Sequence, residues 1–116
     1  MKKNVLFFFF VILFPLVAYS SGNDAVANPA AVVEEGDVRF TVLTPRVIRM
    51  EWDSLHRFTD ERSFIVINRN LPVPEFKKII KGGKLTIRTD ELELTYKLNT
   101  GKFSKKNLEI KYLNKK

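Results

Sequence analysis

Between residues 36 and 112 the sequence consists of short runs in which apolar and polar residues alternate, separated by turn-forming residues. A period of two places every second side chain on the same face of an extended strand, whereas an amphipathic helix needs apolar residues at intervals of three and four. No such helical run occurs in this part of the chain. The pattern therefore predicts about seven strands and an all-β fold, an antiparallel β-sandwich or part of one.

The predicted strands cover residues 38–42, 47–52, 63–68, 76–80, 84–88, 92–97 and 108–112. The run at 63–68 is apolar on both faces, as expected for a central strand, and Gly82-Gly83 predicts a hairpin turn after the weaker run at 76–80. Residues 89–90 and 99–102 predict the later turns, so that the last three strands form a meander. The predicted inward-facing residues are Val38, Phe40, Val42, Ile48, Met50, Trp52, Leu85, Ile87, Leu92, Leu94 and Tyr96. Leu108, Ile110 and Tyr112 complete the final predicted strand.

A different kind of sequence precedes this region. Residues 5–18 form an apolar run of 14 behind two lysines and contain five of the ten phenylalanines. Small residues stand at position 18, the last of the run, and at position 20. This pattern is typical of a secretory signal peptide, predicted over residues 1–20. Fourteen residues are few for a membrane-spanning helix, which needs about 20 apolar residues. An uncleaved membrane anchor is the alternative interpretation. We therefore predict an exported protein, periplasmic or secreted, with no stable membrane anchor once the signal is cleaved.

Residues 21–35 have small side chains, one proline and no periodicity, which predicts a flexible leader. Order is expected to begin at about Gly36, so the partial sandwich domain is assigned to residues 36–116. The chain has no cysteine, so an oxidising compartment would supply no disulfide framework. Its stability must come from an apolar core.

The charge is unevenly distributed. Residues 21–76 carry six arginines and nine acidic residues, a net charge of −3, whereas residues 77–116 carry twelve basic and four acidic residues, a net charge of +8. A basic segment can indicate a nucleic acid or an anionic surface as partner. We favour lysines that face solvent or guard a sheet edge, and predict no nucleic-acid partner.

Few residues are suited to chemistry. With one histidine and no cysteine, nucleophilic triads and zinc sites are excluded or nearly so, and no metal or cofactor is predicted. His56 is interpreted as a solvated loop residue rather than a catalytic base. Asp53, Asp60 and Glu61 could supply paired carboxylates for glycoside hydrolysis, but the loop also contains arginines, and local ion pairing and turn formation are favoured. Asp90, Glu91 and Glu93 are interpreted in the same way, as hairpin residues.

Trp52 has two interpretations. It ends the inward-facing stripe of its strand, which predicts a core residue, and the alternative is an exposed platform on which a sugar ring stacks. A Trp-Asp dipeptide also occurs in propeller repeats, but nothing in this chain recurs at the required period.

The stretch at residues 36–76 is more distinctive as a whole than any one of its short motifs. It reads Val-Arg-Phe-Thr-Val and then Thr-Pro, Val-Ile-Arg-Met-Glu-Trp, a loop with Phe58, Asp60 and Arg62, and Asn-Arg ahead of Leu-Pro-Val-Pro. In this order and spacing the segments resemble the N-terminal β-sandwich domain of the glycoside hydrolase family 31 enzymes, the α-glucosidases and α-xylosidases. The later runs Leu-Thr-Ile-Arg-Thr, Leu-Glu-Leu-Thr-Tyr, Gly-Lys-Phe and Leu-Glu-Ile continue that domain's pattern, so the resemblance covers nearly all of residues 36–112.

The resemblance implies a galactose-mutarotase-like sandwich that precedes a (β/α)8 barrel. In that family both catalytic aspartates lie on the barrel, and the complete sandwich is longer, so this chain is expected to be partial and catalytically inert, with no catalytic residue carried over. A loop of the sandwich can approach the active-site mouth in the family. Its counterpart here is residues 54–62, which makes Phe58, Asp60 and Arg62 the candidate substrate-entrance residues.

Two classes of function follow. In the first, the chain is the non-catalytic N-terminal domain, or a fragment of it, of an exported α-glycosidase, and an α-linked oligosaccharide is its partner only through the barrel. In the second, it is a freestanding exported β-sandwich that binds carbohydrate or a protein. The resemblance favours the first.

Overall fold

The computed structural model describes residues 25–62 and 68–113. The predicted signal peptide lies outside the described residues, as does all but the last residue of the candidate strand at 63–68. Within the described ranges, no helix has both the length and the apolar character needed to cross a membrane.

The described residues form seven strands in two antiparallel sheets. The first sheet has the order β1-β2-β3, with β1 at Val32–Glu35, β2 at Val38–Thr44 and β3 at Val47–Trp52. The second has the order β4-β5-β6-β7, with β4 at Phe76–Lys81, β5 at Lys84–Thr89, β6 at Leu92–Lys97 and β7 at Leu108–Tyr112. A short 3-10 helix at Pro29–Ala31 precedes β1. The predicted all-β antiparallel sandwich is confirmed.

The core lies between the inward faces of the two sheets. Its most deeply buried side chains come from β2, β5 and β6: Val38, Phe40, Val42, Leu85, Ile87, Leu94 and Tyr96. The predicted stripe on β3 packs against this cluster through partly buried Ile48, Met50 and Trp52. Phe103, from the connection between β6 and β7, places its ring 5.7 Å from that of Phe40 and 5.3 Å from that of Tyr96. Three aromatic rings therefore join the two sheets.

The N-terminal boundary differs from the prediction. Instead of a flexible leader extending to Glu35, residues 32–35 form β1, which pairs antiparallel with β2 and buries Val33 at 3% exposure. A strand of four residues is too short to show a period of two, which is why the sequence pattern missed it. Gly36 makes the following turn at φ +54, and a Cβ there would lie 3.3 Å from Asn99 Oδ1.

The predicted hairpin turn between β4 and β5 is confirmed. Gly82 and Gly83 have φ of +59 and +72, as a two-residue turn of this hand requires. The next turn begins one residue later than predicted because Thr89 belongs to β5. Its hydroxyl oxygen accepts hydrogen bonds from the backbone amides of Glu91 and Leu92, at 3.1 and 3.0 Å.

The final predicted strand is confirmed, and its apolar residues differ in burial. In register, Leu108, Ile110 and Tyr112 lie opposite Tyr96, Leu94 and Leu92 on the core side of the second sheet. Leu108 packs against the core, but Ile110 is 44% and Tyr112 71% exposed. β7 is an edge strand, so its far end extends beyond the buried part of the sandwich.

Candidate functional site

The outer face of the first sheet carries charged side chains that the strand register places side by side. Arg39 of β2 lies opposite Glu51 of β3, and Thr41 lies opposite Arg49. Although they point away from the core, the side chains of Arg39, Glu51 and Arg49 are only 12%, 11% and 14% exposed. The loop that follows β3 covers them.

Arg39 is the centre of this cluster. Its Nε donates to Glu51 Oε2 at 2.6 Å and its Nη2 to Glu51 Oε1 at 3.1 Å, a bidentate pair. Nη1 donates to Asp60 Oδ1 at 2.9 Å, and Nη2 also donates to the backbone carbonyl of Thr59 at 2.8 Å. The guanidinium carbon lies 5.3 Å from the centroid of the Phe58 ring. One strand arginine thus holds three consecutive loop residues.

Arg69 holds the same loop from the other side. It is 3% exposed, and it donates to the carbonyls of Thr59 at 2.8 Å and Glu61 at 2.5 Å. Its Nε is buried without a hydrogen-bond partner in the structure. Burial is the main cause of a lowered pKa for Arg69, and the nearby positive charge of Arg49 lowers the pKa further.

The Glu51 carboxylate pairs with two arginines and remains ionised. Burial alone would raise the pKa of its carboxyl, but hydrogen bonds and charge from Arg39 and Arg49 outweigh burial and hold the pKa below its usual value. Burial lowers the pKa of Arg39, and Glu51 and Asp60 more than reverse that effect. A general acid of a glycosidase needs a raised pKa, so Glu51 is unsuited to that role.

The structure brings together two of the three predicted site residues. Phe58 and Asp60 both contact Arg39, and the Asp60 side chain remains 57% exposed. Arg62 is exposed at the end of the described part of the loop and is not among the residues that Arg39 contacts. The prediction missed Arg39 and Arg69. The signal for Arg39 was present, because alternation places Arg39, Arg49 and Glu51 on outward positions of neighbouring strands.

The acidic residues of the loop make hydrogen bonds that fix its shape, through the side chains of Asp53 and Asp60 and the backbone of Glu61. Asp53 accepts a hydrogen bond from the Leu55 amide at 2.8 Å and lies 3.7 Å from Arg57, which confirms local pairing and turn formation there. The pairing of Asp60 is not local, because its partner is a strand arginine 21 residues away. Glu61 donates its backbone amide to the Thr59 hydroxyl at 3.2 Å.

His56 is an exposed loop residue, as predicted. Its Nε2 lies 2.7 Å from Asp37 Oδ1, and its ring stacks on that of Phe58 with 6.4 Å between centroids. Its φ of +57 is in the left-handed region, which suits a tight loop. His56 and Arg39 therefore both contact the Phe58 ring.

Trp52 is confirmed as the end of an inward stripe. It is partly buried against the core, its Nε1 is buried without a partner, and Lys102 Nζ lies 5.7 Å from its ring centroid. A ring packed in this way presents little free face for a sugar. Among the described residues no cluster of three or more His, Cys, Asp or Glu side chains could hold a metal ion.

A concavity of about 280 Å³ adjoins the cluster. Apolar residues that precede or begin β1, including Val26, Pro29 and Val32, form one wall, and Arg39, Asp60 and Arg69 form the other. Its volume lies near the lower end of the range for small-molecule sites, about 300–1,000 Å³. No family model and no curated protein sequence matches the chain.

Proposed function

We propose that the chain is the non-catalytic N-terminal β-sandwich domain, or a fragment of it, of an exported family 31 α-glycosidase of the α-glucosidase or α-xylosidase type. In this proposal the sandwich packs against a catalytic barrel, and the loop 54–62 shapes the entrance through which an α-linked oligosaccharide reaches it. The resemblance of residues 36–112 to that domain supports the proposal, as does the all-β sandwich.

The observation that carries the proposal is the anchoring of the loop by two arginines, of which Arg69 is buried and Arg39 mostly buried. Arg39 and Arg69 both donate to the carbonyl of Thr59, so the residues on either side of Thr59 are held at a fixed position on the sheet. A rim residue improves substrate positioning only when its own position is fixed. Phe58 offers an apolar ring and Asp60 an accessible carboxylate, the two side-chain types that contact sugar faces and hydroxyls.

The same geometry supports a role without catalysis. Glycoside hydrolysis needs one carboxyl group that donates a proton and a second carboxylate across the sugar. Glu51 is mostly buried and held ionised by Arg39 and Arg49, and Asp60 is bound to the same Arg39 guanidinium. Neither carboxyl has the environment of a proton donor, so the full chain alone should not turn over aryl α-glucosides or α-xylosides.

The test combines the full chain with a family 31 enzyme from which the N-terminal sandwich has been removed. We expect the chain to associate with the barrel and restore hydrolysis of an aryl α-glucoside or aryl α-xyloside. Phe58→Ala should raise KM about three- to tenfold with little change in kcat, because a rim contact that is equal in the ground and transition states affects only binding. Leu55→Ala, in the same loop at 65% exposure, is the matched control and should leave KM unchanged.

Two results would overturn this proposal. One is turnover by the full chain alone that disappears in Asp60→Asn, which would make the loop a catalytic site. The other is saturable binding of a malto-oligosaccharide by the full chain without any barrel, lost in Phe58→Ala, which would establish the freestanding carbohydrate-binding module instead.

A further inference from the structure

The outer face of the second sheet carries a row of lysines that the strand register places directly opposite one another. Lys81 of β4 lies opposite Lys84 of β5, and Lys84 lies opposite Lys97 of β6. We refer to Lys81, Lys84 and Lys97 as the lysine row. Like charges in directly opposed positions destabilise an antiparallel sheet, so this arrangement acts against folding unless something else compensates for it.

Another row on the same face shows the usual compensation. At the other end of the sheet, Lys77 lies opposite Arg88, Arg88 opposite Glu93, and Glu93 opposite Lys111. Arg88 and Glu93 approach within 3.9 Å. An acidic residue thus stands among the basic ones there, whereas no member of the lysine row has an ion pair within the part of the chain that the structure describes.

Two further lysines extend the row on a rigid support. Lys105 and Lys106 belong to the turn before β7, where Asn107 is 7% exposed. Asn107 Oδ1 accepts from the Ser104 amide at 2.8 Å, Asn107 Nδ2 donates to the Lys102 carbonyl at 2.9 Å, and the Lys97 amide donates to the Asn107 carbonyl at 2.9 Å. The turn is therefore tied to the end of β6 that carries Lys97.

Two members of the lysine row and the two lysines of the turn line one concavity of about 440 Å³, which Lys81 does not reach. Its lining includes four lysines, Lys84, Lys97, Lys105 and Lys106, with Thr95 and the acidic Glu109. A concave surface of one dominant sign concentrates ions of the opposite sign. The concavity is therefore suited to an anionic ligand that follows the row across several strands.

Protection of a sheet edge does not account for the row. Lysines on edge strands discourage pairing between sheets, and this explains Lys81 on β4. Lys84 and Lys97 lie on β5 and β6, the two central strands of the sheet, where the backbone is already paired on both sides. Lysine is also disfavoured in strands, so these two positions have a cost without an edge to protect.

We propose that the lysine row, together with Lys105 and Lys106, binds an acidic polysaccharide, a linear chain with carboxylate or sulfate groups at regular intervals. Neighbouring strands are about 4.8 Å apart, so the row presents positive charges at regular intervals along one direction, as a polymer requires. The lining contains no aromatic ring on which a base could stack and no arginine for bidentate phosphate contacts, which favours a sugar polymer over a nucleic acid. The proposal is independent of the barrel and of loop 54–62.

The test titrates the full chain with an oligogalacturonate, which supplies carboxylates, and with dextran sulfate, which supplies sulfates, in about 50 mM salt. Unmodified dextran and a single-stranded oligonucleotide are the comparison ligands. The double variant Lys84→Gln/Lys97→Gln should weaken binding about tenfold and flatten the dependence of affinity on salt, because fewer counterions are released. Lys77→Gln/Lys111→Gln removes the same charge from the other row and should weaken binding less than about twofold.

Thermal unfolding of each variant, followed by circular dichroism, establishes that a loss of binding is not a loss of folding. Binding of either acidic sugar polymer with the expected difference between the two double variants supports the proposal, and the better of the two identifies the acidic group. Equal weakening by both double variants would overturn it, because net charge alone would then account for binding. Tighter binding of the oligonucleotide at matched charge, or no binding of either acidic polymer, would overturn it as well.

Discussion

The outward-facing charges of the first sheet are paired, whereas the lysines at one end of the second sheet are not paired within the described residues. On the first sheet, Arg39, Arg49 and Glu51 are covered by a loop and nearly removed from solvent, and they are bound to one another and to the loop. On the second sheet, Lys84 and Lys97 face solvent without an acidic partner among the described residues. A covered charge must be paired to be tolerated, so the first set became part of the structure, whereas the second remains available to a ligand.

The difference also accounts for the uneven charge of the sequence. The acidic segment, residues 21–76, contains the first sheet and its loop and has six arginines and nine acidic residues, several of which bind each other. The basic segment, residues 77–116, contains most of the second sheet, whose lysines outnumber its acids. Of the two positions predicted from the sequence, the sheet edge fits Lys81 on β4, and exposure to solvent fits Lys84 and Lys97 on the central strands.

The largest effect that would test this comparison is expected at Glu51. Glu51→Gln leaves Arg39 and Arg49 nearly buried with one carboxylate fewer, and should lower the free energy of unfolding by about 3 kcal/mol. Glu93→Gln is the matched control on the second sheet, where the pair with Arg88 is 3.9 Å apart and partly exposed. It should lower the free energy of unfolding by less than about 1 kcal/mol.

Urea denaturation of the three proteins measures both values. Equal losses for Glu51→Gln and Glu93→Gln would show that the cover provided by loop 54–62 does not change the energetics of the charges beneath it. The contrast between the two sheets would then be one of position only.

A second effect, smaller than the first, concerns pH. The pKa of Glu51 in the folded protein lies below its ordinary value of 4.5. The unfolded chain therefore binds a proton at Glu51 more readily, so the stabilisation from this carboxylate is complete above about pH 4.5 and is lost as the pH falls through the folded-state pKa. The difference in free energy of unfolding between wild type and Glu51→Gln should narrow on acidification below that pH.

Denaturation curves at steps between neutral pH and the acid limit of folding provide the measurement. Carboxylates that do not share an arginine with Glu51 titrate alike in both proteins and cancel in the difference, and Asp60, which shares Arg39, is the exception. Parallel curves, with a constant gap between wild type and Glu51→Gln, would contradict a Glu51 carboxylate that is stabilised by the two arginines.

The parts of the fold that sequence reasoning recovered are those with a long period of two. β2, β5 and β6 alternate over six or seven residues and supply nearly all of the deeply buried core. The sequence analysis did not predict β1, because four residues define no period. It did not predict Phe103 as a core residue, because Phe103 packs against the core from a connection rather than from a strand. Core residues outside strands leave no periodic signal.

The candidate site was recovered less completely, for a different reason. Phe58 and Asp60 were identified through a resemblance, and a hairpin register would have added Arg39 opposite Glu51. Arg69 could not have been found, because its hydrogen bonds are to the backbone carbonyls of Thr59 and Glu61. Every residue has such a carbonyl, so the contact imposes no residue type on the loop that accepts it.

The smallest predicted effect has the opposite sign to the others. Lys97→Gln removes one of two like charges that face each other across β5 and β6, and should raise the free energy of unfolding by about 0.3 kcal/mol in low salt. Lys111→Gln removes a lysine that lies opposite Glu93 and should lower the free energy of unfolding slightly or leave it unchanged. Because exposed charges are screened within about 10 Å at 0.1 M salt, the gain from Lys97→Gln should shrink as salt is added, which separates relief of repulsion from a change in strand propensity. If Lys97→Gln instead lowers stability at every salt concentration, the lysine row carries no electrostatic cost. The contrast between the paired charges of the first sheet and the unpaired lysines of the second would then lose its energetic basis.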